Sequence, residues 1–458
     1  MVIIQHPKSG EPDSYTVNIH STHVLSQRVK VVAAYVRVCV HPYMATRFAG
    51  ADFQSKEDFM PTTISEKARK VKSSSTLAIT ARAKELRVQG YDIVSFGAGE
   101  PDFPTPKNIC EAGKKAIDDG FTRYTPAAGT AELRKAVSTK FKYVNRLHYE
   151  PKQVVISNGG KQSLMNAFEA IINPGDEVIL PAPYWLSYPE LIRLAGGVPV
   201  IVNCGKDVGY KLIAEALSAA VTPNTKALVL NDPNNPTGAV YTKNELSAIA
   251  QVVVEKDFYV IADEMYESLV YGDAKHVSIA SLGAEIYQRT ITVCGLSKSY
   301  AMTGWRIGYT GSNAEIAKLM GSIQSHQTSN PCSISQAAAL EALTGPQNDV
   351  EAMLVEFGKR NRFICDCLSR IPHLSAIEPQ GAFYLFVDCS ELIGKAYKGK
   401  TITSAADIAE ILINDFLVAV IPCADFGYPD HIRLSYAISQ SDIAKGMERI
   451  GDFVKAVE

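Results

Sequence analysis

Six short runs of β-branched and aliphatic residues recur through the middle of the chain, at 154–157, 177–180, 198–202, 227–230, 259–262 and 290–294, each bounded by Gly, Pro or Asn. Runs this short, with little polar alternation, predict strands buried on both faces. Helical patterns fill the intervals; across 161–172, Leu164, Met165, Phe168, Ile171 and Ile172 fall on one side. Parallel neighbours need a crossover connection, so this alternation predicts an α/β fold: one large, mostly parallel sheet with helices on both faces. On such a sheet the groups that meet a ligand lie just beyond the carboxyl ends of the strands.

The flanks read differently. Helical segments at 64–85 precede a short strand at 92–96 and the turn Gly97-Ala98-Gly99-Glu100-Pro101. Helices are expected at 108–119 and 131–143, with the loop RYTPAAG (123–129) between them. After about residue 350 comes a long helix, 350–371, then GAFYLFVD (381–388) as a strand with aromatic alternation, a helix at 405–415, strands at 418–421 and 431–436, and a last helix. The expected organisation is an N-terminal extension (1–60), a segment (62–105) joining a small α+β domain (350–458), and a large domain (106–349).

Residues 1–50 contain only two acids, Glu11 and Asp13, among scattered Arg, Lys and hydroxyl residues. That pattern resembles an organelle transit peptide, which would place the mature protein in a plastid. A disordered extension, or a start placed too early with Met44 as an internal start, is an equal alternative and implies a cytoplasmic protein. With 46 basic and 48 acidic side chains, the net charge of -2 argues against a dedicated nucleic-acid binder. A chain that is 46% hydrophobic is not disordered throughout. No apolar run reaches the roughly 18 residues a membrane span requires. The nine cysteines, an odd count with no CxxC, read as thiols in a reducing compartment rather than as a disulfide framework or metal site. No metal is expected.

Four strand ends carry chemistry. The run 290–294 leads into Gly295-Leu296-Ser297-Lys298, and a Lys just past a strand end can face a pocket. Burial there would lower its pKa, and a neutral amine can form a Schiff base with a carbonyl; taken alone, a solvated surface Lys is the simpler reading. The run 259–262 ends in Asp263-Glu264-Met265-Tyr266, where Asp263 either caps the next helix, the commoner fate, or faces the same crevice. The run 227–230 ends in Asn231-Asp232-Pro233-Asn234-Asn235-Pro236-Thr237-Gly238, in isolation a turn signal. The run 154–157 ends in Asn158-Gly159-Gly160-Lys161 and enters a helix, which suits either a phosphate or tight packing.

Together these ends, with the S-K-x(6)-G-x-R-x-G pattern around Lys298 and Arg306, Asn235-Pro-Thr-Gly and Asp263-x-x-Tyr266, resemble the class I, fold-type I pyridoxal-phosphate aminotransferases. The likeness runs from about residue 62 to the end. AGEPDFPTP, RYTPAAG, SNGGKQ, PAPYW, AMTGWRIGY and PQGAFYLF are similar to the bacterial-type aspartate and prephenate aminotransferase branch, including its plant plastid members. The resemblance implies a mostly parallel seven-stranded sheet with a smaller α+β domain, pyridoxal 5'-phosphate as cofactor, amino acids and 2-oxo acids as substrates, and a homodimer with shared active sites.

On this resemblance, Lys298 would hold the cofactor through its amine and later carry the proton at Cα. Asp263 would pair with the pyridine nitrogen and keep it protonated. Tyr266 and Asn235 would bond the ring oxygen, and Trp185 would stack on the ring. Gly160, Lys161, Ser297 and Arg306 would surround the phosphate, while Tyr124 would reach the phosphate of the neighbouring subunit. Arg433, in His431-Ile432-Arg433-Leu434-Ser435-Tyr436, would grip the substrate α-carboxylate, and Gly99 would let substrate approach the backbone. Gly295 sorts the chain with the bacterial-type branch, since the animal-type branch has a phosphate-binding Ser there. Cys294 and Asn234 replace the Asn and Ser common in relatives and are expected behind the site.

A dicarboxylic substrate needs a second cation, and Lys161 and Lys72 match the two used in that branch. Thr76 matches the Thr that accompanies prephenate use; it would otherwise only cap or pack the segment 77–80. The implied activity is aspartate aminotransferase, with glutamate or aspartate as donor and oxaloacetate, 2-oxoglutarate or prephenate as acceptor. The alternatives are other chemistries on the same cofactor and scaffold: an aromatic or alanine aminotransferase, a C–S lyase or an aminocyclopropane-carboxylate-synthase-like enzyme. A regulator with an aminotransferase-like domain would need a DNA-binding domain that residues 1–60 do not suggest.

Overall fold

A computed structural model of the protein describes residues 2–5, 16–19, 65–69, 71 and 75–457. Residues 1–65 and 66–458 are separate units. In the first, Val2–Gln5 pairs antiparallel with Thr16–Ile19; the other residues carrying the targeting, extension and internal-start readings, and Lys72, lie outside the described residues.

The second unit is built on a seven-stranded sheet. Its order is Val154–Ser157, Gly308–Gly311, Thr290–Gly295, Tyr259–Asp263, Thr225–Asn231, Glu177–Ala182, Val198–Asn203. Six strands follow the runs read from the sequence, and their pairings with one another are parallel. Thr290–Gly295 and Val154–Ser157 are buried at every position, as continuous apolar runs require. Val198–Asn203 departs from that expectation: among the described residues it pairs with Glu177–Ala182 alone, and as an edge strand it leaves Val198 and Ile201 exposed.

The seventh strand, Gly308–Gly311, runs antiparallel to both its neighbours. Its first residue therefore sits level with the carboxyl ends beside it, since Gly308 pairs with Ser157 and with Gly295. This reversal brings Arg306, two residues upstream, to the edge where the other strands end.

Helices cover the sheet. Gly160–Ile171 follows Val154–Ser157 directly. Lys243–Lys256 starts at a capping box in which the Thr242 hydroxyl accepts from the Glu245 amide and the Glu245 carboxylate accepts from the Thr242 amide. The expected helix 131–143 stops as an α-helix at Lys140 and continues as a π-turn, Phe141–Asn145, closed by Arg146 at φ 60°. The turn carries Asn145 into the interior.

A four-stranded antiparallel sheet takes its strands from the last part of the chain, in the order Ser375–Ala376, Tyr384–Asp388, His431–Ser435, Ile421–Pro422. The expected strand 381–388 begins only at Tyr384. The expected strand 418–421 splits: Val418–Ala419 pairs parallel with Val94–Ser95, and Ile421–Pro422 pairs with His431–Ser435. Asn348–Leu368 packs Phe357 against Phe383, rings stacked 5.3 Å apart, in a core where truncating either ring would cost about 3–5 kcal/mol. The Ser435 amide donates to the Phe96 carbonyl and so ties the 97–101 turn to the strand that carries Arg433.

Candidate active site

The carboxyl edge of the large sheet opens into a cavity of about 490 Å³. Thr76, Gly99, Gly160, Lys161, Trp185, Asn235, Asp263, Tyr266, Ser297, Lys298, Arg306 and Arg433 all line it. The structure thus gathers the sequence-selected residues from eight separate stretches of chain. Tyr124 does not line this cavity and is 90% exposed. Lys72 lies outside the described residues.

Asp263 ends its strand and is buried. It faces the cavity and caps no helix. One carboxylate oxygen accepts the Met265 amide at 3.1 Å, closing a local turn rather than capping a helix; the other accepts the Tyr188 hydroxyl at 2.7 Å, on the floor of the cavity. Burial pushes its pKa up to about 6, against the Tyr188 and Met265 hydrogen bonds that lower it. It forms no salt bridge among the described residues.

Lys298 is the opposite charge in the same condition. Its amine is enclosed and donates to the Gly99 carbonyl. Burial pulls its pKa down to about 8, Glu100 opposing and Arg433 and Arg306 reinforcing the fall. The neutral form of this amine, which a nucleophile or base requires, is therefore far more accessible near neutral pH than in an ordinary lysine.

Arg433 sits in the middle of His431–Ser435 and is 2% exposed. Its guanidinium donates to Asn235 Oδ1 at 3.0 Å and to the Gly97 carbonyl at 3.4 Å, while Nε has no hydrogen-bond partner among the described residues. Its central carbon lies 4.4 Å from the Tyr384 ring centroid. No carboxylate among the described residues pairs with it. A buried guanidinium with donors to spare suits an incoming carboxylate, which it can grip with two parallel bonds.

The far wall is a cradle for an anion. Gly159, at φ +84°, precedes the helix Gly160–Ile171, whose first N–H groups have no partner within the helix. The Arg306 guanidinium lies so close to Gly159 that a Cβ there would collide with it. Arg306 itself adopts φ 58° and donates to the Thr303 carbonyl at 2.7 Å. Lys161 Nζ stands 4.9 Å from the Trp185 ring centroid; burial lowers its pKa, with Arg306 adding to the effect. A helix N-terminus, a guanidinium, an ammonium and the Ser297 hydroxyl form a donor set suited to a phosphate dianion.

Tyr266 donates to, or accepts from, the Tyr384 hydroxyl at 2.8 Å. Asn231 supports Asn235 by accepting its amide at 2.8 Å and holds the Asp263 carbonyl at 2.9 Å. Thr76 lies within the helix Ser75–Val88 rather than at its cap, and its hydroxyl has no hydrogen-bond partner among the described residues. Cys294 is buried outside the cavity, 3.8 Å from Lys140 Nζ. Asn234 braces its own turn, accepting from the Thr237 amide at 3.1 Å.

Sequence reasoning missed Tyr188 and Tyr384. Tyr188 lies three residues after Trp185 in PAPYWLSY, so a polar aromatic one helical turn from a selected residue was the available signal. Tyr384 was read only as part of an alternating aromatic strand. Two acidic groups elsewhere come close enough to hold a metal: Glu264, Glu267 and Cys294, and Asp388, Asp430 and His431. In the first the Lys140 ammonium already pairs with Glu267, and in the second Tyr210 engages the His431 ring.

The family profile of class I and II aminotransferases matches residues 91–450. The aspartate aminotransferase of Bacillus sp. (strain YM-2) is 46% identical over 86% of this chain and 100% of its own length. The aspartate/prephenate aminotransferase of Cereibacter sphaeroides is 45% identical over 85% of this chain and 98% of its own. Among solved structures, the aspartate aminotransferase of Thermus thermophilus with maleate superposes with a TM-score of 0.81 at 42% identity, covering 85% of this chain and 99% of that one.

Proposed function

This chain belongs to the class I and II aminotransferases, and from that membership we propose that it is a pyridoxal-phosphate-dependent aspartate aminotransferase that also accepts prephenate. One observation carries the reading: an enclosed Lys298, an unpaired Asp263 and an unpaired Arg433 face one cavity whose far wall is an anion cradle. That donor set fits the cofactor. Gly160, Lys161, Ser297 and Arg306 would hold its phosphate, Asp263 would face its ring nitrogen, and Lys298 would reach its aldehyde.

When bound, pyridoxal phosphate supplies an aldehyde for covalent capture of an amine and a cationic ring that accepts the electron pair left at Cα. The chain's own residues do the rest. Arg433 grips the α-carboxylate and orients the amino acid. Lys298, with its pKa brought near 8 by burial, takes the proton from Cα and returns it on the other side of the exchange. Asp263 holds a proton on the ring nitrogen, and a cation facing it would draw its carboxyl back towards the ionised form. Tyr266 and Asn235 hold the ring's oxygen substituent, and Trp185 covers its face and excludes water. Tyr124, exposed on one chain, serves the phosphate of a second copy in a homodimer.

Lys161 at the cavity wall supports a second carboxylate on the substrate, in keeping with the aspartate/prephenate relative and with a maleate-bound neighbour. The unpartnered Thr76 hydroxyl supports a bulkier polar acceptor. The test is a panel of donors and acceptors on the purified enzyme. Aspartate and glutamate should outpace alanine and phenylalanine as donors, with oxaloacetate, 2-oxoglutarate and prephenate as acceptors. Turnover confined to aromatic or monocarboxylic donors would overturn the specificity, and elimination products would place the chain among the lyases.

A further inference from the structure

Behind the floor of the cavity lies a second set of charged side chains, none of which lines it. Glu264 follows Asp263, and successive residues at a strand end point to opposite faces. Asp263 turns to the cavity while Glu264 turns inward, 2% exposed. Its carboxylate accepts from Ser278 Oγ at 2.5 Å and Asn145 Nδ2 at 3.1 Å, and meets His276 Nε2 at 3.1 Å. The other ring nitrogen of His276 stands 3.4 Å from the Asp232 carboxylate, and the Asp232 amide in turn donates to the Asp263 carbonyl at 3.1 Å. The imidazole therefore sits between two acids that flank Asp263, one next in sequence and one bonded to its backbone. The neighbouring Glu267 carboxylate is occupied by Lys140 and by Asn145 Nδ2 at 2.6 Å.

A carboxylate hydrogen-bonded at one ring nitrogen and a second at ion-pair distance from the other favour the imidazolium form. Burial pulls the pKa of His276 down, but Glu264 and Asp232 outweigh it and push it up to about 10. The titratable groups that face this region are Asp232, Glu264 and Glu267, with Lys140 and the Cys294 thiol behind them. With Lys140 satisfying Glu267, the His276 cation is the only positive charge set against Glu264 and Asp232 among the described residues. Without it, uncompensated negative charge would lie beside Asp263 and make it the stronger base.

We propose that His276 is a positioning residue for charge: its imidazolium keeps Asp263 an acceptor, so that the proton shared with the ring nitrogen of bound pyridoxal phosphate resides on that nitrogen. The inference rests on the reading that Asp263 faces the ring nitrogen. Removing the cation would move that one proton from nitrogen to the carboxylate, with no other bond made or broken.

The test is the ¹⁵N chemical shift of ring-labelled pyridoxal phosphate in the holoenzyme. The wild type should show a protonated ring nitrogen, and His276→Gln should shift it towards the unprotonated value. The turnover number with aspartate should fall about tenfold and its KM by less than about twofold, because Arg433 is untouched. The double variant His276→Gln/Glu264→Gln, which returns the group to its wild-type net charge by removing one acid with the cation, should restore the protonated signal. Glu264→Gln alone, the variant to rely on if His276→Gln does not fold, should leave the nitrogen protonated. An unchanged shift in folded His276→Gln holoenzyme, a double variant no better than the single, or deprotonation in Glu264→Gln would each overturn the proposal. A wild-type protein that took up no pyridoxal phosphate would overturn the functional reading itself.

Discussion

Two regions lie back to back at the carboxyl edge of the large sheet, and both bury charge. In the inner cluster Lys140 meets Glu267, His276 meets Glu264, and Asn145 bridges the two glutamates. In the cavity, Asp263 has only neutral donors, Lys298 donates to a backbone carbonyl, and Arg433 has an unused donor. Burying charge without a counter-charge is costly, and folding alone gives no reason to keep it. Apart from the charge that His276 sets beside Asp263, the paired cluster belongs to the architecture; the unpaired set is complementary to something that binds. Variants of the two regions should therefore fail in different ways.

The largest effect is expected at Lys298. Lys298→Ala should lose turnover and any borohydride-trapped adduct, while pyridoxal phosphate still binds through the anion cradle. Transamination at the wild-type rate by that variant would remove Lys298 from the mechanism. In the wild-type apoprotein, covalent uptake of pyridoxal phosphate followed by visible absorbance should rise with pH through about 8, where the buried amine loses its proton, rather than through the ordinary lysine value of 10.5. Asp263→Ala comes next. It should keep the covalently bound cofactor but slow a single turnover with aspartate by several orders of magnitude; a loss under about tenfold, roughly 1.4 kcal/mol of barrier, would speak against the pyridinium role.

Lys140→Met probes the other region. It leaves Glu267 buried without its cation and should lower unfolding stability by about 3–5 kcal/mol in a denaturant titration. Aspartate kinetics of the folded fraction should stay within a few-fold. A catalytic collapse without loss of stability would erase the distinction between the regions. The smallest effects concern the substrate's distal end. Lys161→Ala should cost about tenfold more with aspartate than with alanine, as loss of one charge-assisted contact would. Thr76→Val should reduce prephenate use by a few-fold, on the order of one neutral hydrogen bond, and leave 2-oxoglutarate unchanged. Equal losses on all substrates would confine Lys161 to phosphate binding and Thr76 to the fold.

The two regions also differed in how readable they were. The cavity was legible because its residues sit at strand ends within short motifs: Lys298 and Arg306 share one, Asp263 and Tyr266 another. The parallel sheet was legible from its apolar runs. The strand Gly308–Gly311 was not, because GYTG has a glycine at each end and no β-branched run to mark it. The inner cluster was silent for a different reason. Lys140 and Glu267 lie 127 residues apart, and Lys140 ends a helix that reads as surface-facing. Only the π-turn after it, which no periodicity announces, brings Asn145 inward to bridge the acids. Tyr188 was hidden similarly, since its partner Asp263 lies 75 residues away.

The most direct test of the unpaired charges as a transamination site is a half-reaction. Holoenzyme is mixed with excess aspartate in the absence of any 2-oxo acid, and the visible band of the bound cofactor and the oxaloacetate released are followed together. The expected result is loss of the band with one oxaloacetate formed per active site, and its return on adding 2-oxoglutarate. Persistence of the band with aspartate, or release of ammonia and a keto acid beyond one equivalent, would contradict it.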